Sequence, residues 1–292
     1  MKQLYGVMPP MITPFDENEE IDYSAHACNV EKWIQAGVSG LVVNGSNSET
    51  CFLTKDERDN LLQITVDINQ NRVPIVVGTG AESTRETIAL TERAAKLGAD
   101  FALVLTPCFY LNSNNKKQLI KHFRDVADKS PIPILLYNVP KFTNVNLSVD
   151  VVCDLSHHPN IYGIKDSAGN VTQLYTLKRN TADDFVILAG TASMWLYALE
   201  MGLSGGIFAL ANCVPKMLVQ IQNLFNEKKF LEAEELFEKS ILLNTAVTAT
   251  FGIAGLKYVT SKFGFTGGCL RRPLAQLDNG QKKELDEIFS DI

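Results

Sequence analysis

Pro133-Ile-Leu-Leu-Tyr137 and Ile161-Tyr-Gly-Ile-Lys165 are two short apolar runs separated by the helical stretch Val149–Ser156. Neither run alternates polar with apolar residues, so each reads as a strand covered on both faces. Two such strands with a helix between them form a parallel pair joined by a crossover. The same unit recurs in both directions along the chain. Upstream, strand-like runs at Tyr5–Thr13, Gly40–Gly45, Pro74–Gly80 and Phe101–Thr106 precede helical stretches at Tyr23–Ala36, Lys55–Asn69, Ser83–Leu97 and Lys116–Lys129. Downstream, Val171–Arg179 follows the sixth strand, Phe185–Ala189 and Ser193–Met201 make the next unit, and Gly206–Leu210 is the eighth strand. Thr54 with Glu57, and Ser83 with Glu86, have the spacing of capping boxes, and Gly37 and Gly98 stand where helices close. Eight strand–helix repeats predict an α/β fold of the closed (β/α)8 (TIM) barrel type. An open dinucleotide-binding sheet would need a glycine fingerprint after its first strand, and Pro14-Phe-Asp16 stands there instead.

After Pro215 no strand signal remains, and Lys216–Lys228, Phe230–Asn244, Gly252–Phe263 and Gln281–Phe289 read as helices. The expected organisation is a barrel over residues 1–214 and a helical C-terminal extension over 215–292. The 292 residues suit one barrel with an appendage, and a hydrophobic fraction of 46% is that of an ordinary globular protein. Net charge is -6 with acids and bases interspersed, so no basic stripe points to nucleic acid. No apolar run approaches the roughly 20 residues that span a bilayer, and the start of the chain does not read as a signal peptide. The six cysteines form no C-x-x-C pair, which suits free thiols in a reducing, cytoplasmic setting. The four histidines, His26, His122, His157 and His158, show no ligand spacing, so no metal is expected.

In such barrels the chemistry gathers at the C-terminal ends of the strands. Those ends carry Gly45-Ser-Asn-Ser-Glu-Thr50, Gly78-Thr-Gly80, Thr106-Pro-Cys-Phe-Tyr110, Tyr137-Asn-Val-Pro140, Lys165-Asp-Ser167, Gly190-Thr191 and Ala211-Asn212. A lysine closing a buried strand aims its amine into the barrel mouth. Burial disfavours the ammonium form, and a neutral amine beside a carbonyl forms an imine. The alternative is a lysine that snorkels to solvent. With Lys165 as nucleophile, the set suits imine chemistry on a small 2-oxo acid. Tyr137 would move protons, Ser46 would relay them, and the backbone amides of the Ser46–Asn47 turn would hold a carboxylate. Each residue alone has a plainer reading: Tyr137 as a core-edge aromatic, Ser46, Asn47 and Ser48 as turn formers, Glu49 as a structural carboxylate, and Gly78, Gly80 and Gly190 as tight-turn residues. Their joint placement at the barrel end of Lys165 favours chemistry.

Gly45-Ser-Asn-Ser-Glu49, Tyr137-Asn-Val-Pro140 and Gly163-Ile-Lys-Asp166, in this order, resemble the class I pyruvate-dependent aldolase superfamily of dihydrodipicolinate synthase and N-acetylneuraminate lyase. The resemblance covers nearly the whole chain. It implies Lys165 as the Schiff-base lysine, Tyr137 as the proton-transfer tyrosine, Ser46 as the relay hydroxyl, and Ile207 where a backbone carbonyl faces the site. It also implies a homotetramer built as a dimer of dimers, and no cofactor beyond the imine on Lys165. Three departures stand out. Phe142 occupies the position of an arginine that binds a substrate carboxylate in dihydrodipicolinate synthases. The segment that lends a tyrosine across a subunit interface reads Pro107-Cys-Phe109, with Tyr110 one residue late, so Phe109 or Tyr110 marks any inter-subunit relay. Ser48 replaces a glycine, which predicts a strained or reshaped turn.

The segments Gly45-Ser-Asn47, Thr106-Pro-Cys108, Lys165-Asp-Ser167 and Phe251-Gly-Ile253 look most like the 4-hydroxy-2-oxoglutarate aldolase branch. That likeness implies Asn47 and Ser167 as substrate contacts, with Gly190 and Ile207 completing the substrate-binding set. The expected activity is a carbon–carbon lyase that interconverts a 4-hydroxy-2-oxo acid or 2-keto-3-deoxy sugar acid with pyruvate and an aldehyde. The alternatives are a 4-hydroxy-tetrahydrodipicolinate synthase condensing pyruvate with aspartate semialdehyde, a dehydratase on the same scaffold, and a non-catalytic barrel that senses a 2-oxo acid.

Overall fold

The computed structural model describes residues 2–292. Its sheet has eight parallel strands: β1 (Gly6–Met8), β2 (Leu41–Val43), β3 (Ile75–Gly78), β4 (Phe101–Leu105), β5 (Ile134–Asn138), β6 (Ile161–Asp166), β7 (Val186–Ala189) and β8 (Gly205–Ile207). Their order, β1-β8-β7-β6-β5-β4-β3-β2, leaves β1 and β2 to meet. The seam closes through a Pro10–Val42 bridge. Met11 N donates to Val42 O at 2.9 Å and Val42 N to Pro9 O at 3.1 Å. β1 is shorter than the expected Tyr5–Thr13 because Pro9 and Pro10 have no N–H to give a ladder. Asn212 takes over beyond them: it accepts from Ile12 N at 3.1 Å and donates to Pro10 O at 3.0 Å. The same residue lies in a 3-10 turn, Ala209–Asn212, which ends β8 before the expected Leu210.

The helices are α1 (Tyr23–Gln35), α2 (Lys55–Asn69), α3 (Thr84–Lys96), α4 (Lys116–Lys129), α5 (Pro140–Thr143), α6 (Val149–Leu155), α7 (Val171–Asn180) and α8 (Trp195–Glu200), then α9 (Pro215–Asn226), α10 (Phe230–Thr245), α11 (Gly252–Lys262) and α12 (Asn279–Ile288). The Thr54–Glu57 capping box opens α2 with both reciprocal bonds. At α3 only half of the box forms, Ser83 accepting from Glu86 N. α9 lies against β1, and Trp195 on α8 donates its indole N–H to Leu218 O at 2.9 Å. A π-helical segment, Ala246–Thr250, joins α10 to α11, where sequence periodicity shows only two separate helices.

Period-two alternation along the strands divides the core. Ile134 and Leu136 of β5, and Ile164 of β6, face the helices. Leu135 and Tyr137, with Val42, Val76, Leu103, Leu188 and Ile207, face the barrel axis. Lys165 is one residue past Ile164 and so faces inward beside Tyr137, its register partner. At β8 the glycines matter. A Cβ at Gly206 would lie 1.9 Å from the ring of Phe208, which fills the space outside the strand. Among the described residues, no helix is long and apolar enough to cross a membrane.

Candidate active site

A cavity of about 540 Å³ opens at the C-terminal mouth of the barrel. Lys165, Tyr137, Ser46, Asn47, Ser167, Gly190 and Ile207 all line it. The fold thus brings together every catalytic and substrate-binding residue expected from sequence except the pair at Phe109 and Tyr110.

Lys165 is 4% exposed, and its Nζ sits 4.3 Å from the centre of the Tyr137 ring. Among the described residues it has no ion-pair partner, whereas the other buried lysine, Lys257, does. The neighbouring Asp166 faces away from the barrel axis, as strand alternation requires. Its carboxylate accepts from Asn138 Nδ2 at 2.9 Å, Gln173 Nε2 at 2.8 Å and Ala168 N at 2.9 Å. Asp166 therefore shapes the turn after β6 and leaves the Lys165 amine uncapped. The Tyr137 hydroxyl, in a side chain that is otherwise buried, lies 3.3 Å from Ser46 Oγ.

Ser46 and Asn47 begin a 3-10 turn, Ser46–Ser48. Asn47 Nδ2 is buried with no hydrogen-bond partner among the described residues, an orphaned donor at the cavity wall. Such a group is costly to bury without an acceptor, which a bound ligand can supply. Ser48 does not strain this turn. Its hydroxyl donates to Met11 O at 2.6 Å, and the left-handed backbone falls on its neighbour Glu49, with φ +54°. On the far side of the mouth, Gly190 N donates to Asp166 O at 2.7 Å. A Cβ at Gly190 would meet Ser167 Oγ at 2.0 Å and Asp166 O at 2.6 Å, so only glycine lets the ends of β6 and β7 approach this closely.

Phe109 and Tyr110 are 76% and 89% exposed, stacked edge to face on a surface loop, and neither lines the cavity of its own molecule. Glu82 grips that loop, accepting from Cys108 N at 3.0 Å and Phe109 N at 2.9 Å. Burial raises the Glu82 carboxyl, but the Phe109 amide, the Cys108 thiol and the Cys108 amide outweigh it and hold the group below its ordinary value. Burial, with Glu82 beside it, pushes the Cys108 thiol up to about 11. Phe142, on α5, also lines the cavity, and beside it Lys141 Nζ donates to Thr248 O at 3.0 Å.

Two features of the site carry no local sequence signal, and a third carries one. Asn244 of α10 reaches the wall from the C-terminal helices; its Nδ2 donates to Thr191 Oγ1 at 3.0 Å and Ser193 Oγ at 2.9 Å, and its Oδ1 is buried without a partner among the described residues. The π-helical segment contributes Val247, Thr248 and Ala249 to the same wall. Glu49 is engaged by Lys257 of α11 at 2.7 Å. A lysine inside the otherwise apolar Gly252–Thr260 run was the one available signal for that last contact. Among the described residues no group of three or more His, Cys, Asp or Glu side chains is placed to hold a metal ion.

The model of the dihydrodipicolinate synthetase family matches residues 3–292. A 4-hydroxy-tetrahydrodipicolinate synthase of Methanothrix thermoacetophila is 37% identical over 286 residues, covering 98% of this chain and 96% of the relative. A solved dihydrodipicolinate synthase from Bacillus anthracis superposes with a TM-score of 0.96 at 28% identity, covering 100% of this chain and 99% of that one. A prophage protein of the same family from E. coli K12, solved in complex with pyruvate, has a TM-score of 0.92 at 28% identity, covering 99% of this chain and 98% of that one. The chain belongs to the dihydrodipicolinate synthetase family, and it is a lyase of the class I pyruvate-dependent aldolase superfamily.

Proposed function

We propose that Lys165 forms an imine with pyruvate and that the chain joins this imine to a small acidic aldehyde, with aspartate semialdehyde the first acceptor to test. One observation carries the proposal: a buried amine that has no carboxylate partner among the described residues lies against Tyr137, whose hydroxyl reaches Ser46, at the mouth of a closed barrel. Lys165 Nζ attacks C2 of pyruvate, and the carbinolamine loses water to give the imine. Loss of a methyl proton gives the enamine. Its C3 forms the new bond to the aldehyde carbon, and water then releases the product from Lys165. Tyr137, backed by Ser46, carries protons to and from the carbinolamine and the aldehyde oxygen. The amides of the Ser46–Asn47 turn and the orphaned Asn47 Nδ2 suit the pyruvate carboxylate. The naming of the relatives favours the synthase reaction over the 4-hydroxy-2-oxo acid lyase expected from the motifs.

A second reading rests on Phe142. An exposed apolar ring stands where the motif resemblance implies a carboxylate-binding arginine, and Lys141 is the cation beside it. That substitution favours cleavage of a 4-hydroxy-2-oxo acid to pyruvate and an aldehyde. Borohydride with pyruvate, followed by peptide mass spectrometry, should place a reduced adduct on Lys165; no adduct, or one on another lysine, would falsify the proposal. Rates with pyruvate plus aspartate semialdehyde, compared with rates of 4-hydroxy-2-oxoglutarate cleavage, choose between the two acceptors.

A further inference from the structure

Glu49 and Lys257 make a 2.7 Å ion pair in which both side chains are 2% exposed. The Lys257 ammonium is fully engaged. It donates to Glu49 Oε1 at 2.7 Å, to Thr13 O at 2.7 Å and to Cys269 O, and it lies 4.6 Å from the centre of the Phe15 ring. Glu49 Oε2 accepts from Arg271 N at 3.1 Å. Both oxygens of Glu49 are thus engaged, although its side chain borders the cavity. A buried pair of this kind is weak evidence for stability, because apolar residues of similar size commonly do as well. Its location gives it another use.

Glu49 terminates the turn that carries Ser46. Its N–H donates to Ser46 O at 3.3 Å, and Ser48 N donates to Gly45 O at 3.0 Å. Thr13 Oγ1 donates to Ser48 O at 2.8 Å, so the residue that accepts from Lys257 also holds the turn from behind. The left-handed backbone at Glu49 is one a non-glycine residue keeps only where its surroundings enforce it. The chain of support runs from α11 through Lys257 and Glu49 to Ser46, and from Ser46 Oγ to Tyr137 beside Lys165.

We infer that the Lys257–Glu49 pair is a positioning device: the C-terminal helices use it to hold the Ser46–Asn47 turn in register with Tyr137 and Lys165. Neither residue touches the reacting atoms. The inference rests on the reading of Lys165 as the imine-forming residue.

Three variants test it: Glu49→Gln, Lys257→Met, and the two combined. Glu49→Gln decides, because it keeps the shape of the side chain while removing its charge and turning one of its two acceptors into a donor. KM for pyruvate should rise about tenfold to a hundredfold in Glu49→Gln, with a smaller change in kcat, as expected for a carboxylate-binding turn displaced by a fraction of an ångström. Combining the substitutions removes the uncompensated charge, so the thermal midpoint should return toward wild type while KM stays raised. A KM within about twofold of wild type in Glu49→Gln overturns the inference. So does a KM in the double variant that recovers in step with the midpoint. Wild-type protein that pyruvate and borohydride fail to label at Lys165 would remove the underlying reading and this inference together; labelling with unchanged variant kinetics removes this inference alone.

Discussion

Acid should destabilise this protein through His26, and the structure sets the size of the effect. His26 lies in α1 at 2% exposure, with Nε2 2.9 Å from Thr65 Oγ1. The Thr65 hydroxyl already donates to Leu61 O at 2.7 Å, so it can only accept from the ring, and the neutral imidazole carries its proton on Nε2. Nδ1 is left buried with no partner among the described residues. A second proton would have to settle there, and burial pushes the pKa from 6.5 down to about 4. The unfolded chain takes up that proton near pH 6.5 and the folded chain does not, so the contribution is complete above about pH 7 and is lost as pH falls toward 4. The loss from this residue is on the order of 1 kcal/mol at pH 5.5 and on the order of 3 kcal/mol below pH 4. Urea unfolding of wild type and His26→Gln at about pH 7.5 and 5.5 measures it as a difference of differences. Wild type should lose on the order of 1 kcal/mol more than the variant over that interval. Any packing defect in the variant is present at both pH values and cancels. His122, also lowered to about 4 by burial, is common to both proteins and cancels as well. Equal losses in the two proteins would refute the assignment of an uncharged ring.

Two further outcomes concern the site. Tyr137→Phe removes the hydroxyl that faces Ser46 and should lower kcat by about a hundredfold to ten-thousandfold while borohydride still labels Lys165 with pyruvate; an unchanged kcat would rule out Tyr137 as the proton carrier. Asn244→Ala removes the unpartnered acceptor on the α10 wall and should raise KM for the aldehyde by about tenfold, leaving pyruvate labelling intact. A rise confined to the pyruvate KM would place Asn244 at the wrong end of the cavity.

The barrel was legible because its strands are covered on both faces. Runs such as Ile134–Leu136 stay apolar at every position, and helix-forming stretches of fitting length separate them. Lys165 and Tyr137 were legible for a related reason: polar groups ending such runs project into the one region where eight strand ends converge. β1 is shorter than its apolar run suggests, because Pro9 and Pro10 end the ladder. The wall made by Asn244 and the π-helical segment was hidden. Asn244 meets Thr191 across 53 residues of chain, and nothing in local periodicity encodes how α10 lies on the barrel. Lys257 could be seen as a charge in an apolar run, but its partner, 208 residues away, could not. The turn at Ser48 departed from the family form without strain, because the left-handed residue is its neighbour and the serine hydroxyl finds Met11 O.

The ring of Phe208 against Gly206 ties two positions into one heritable unit. A side chain at 206 requires the buried phenyl group to move or be replaced, because its tip fills the space that a Cβ would take. Nor does loss of the ring alone come free, because it opens a void beside Trp195. Divergence at this edge of the barrel therefore proceeds by paired exchange, and the order of the two substitutions decides which evolutionary routes are open.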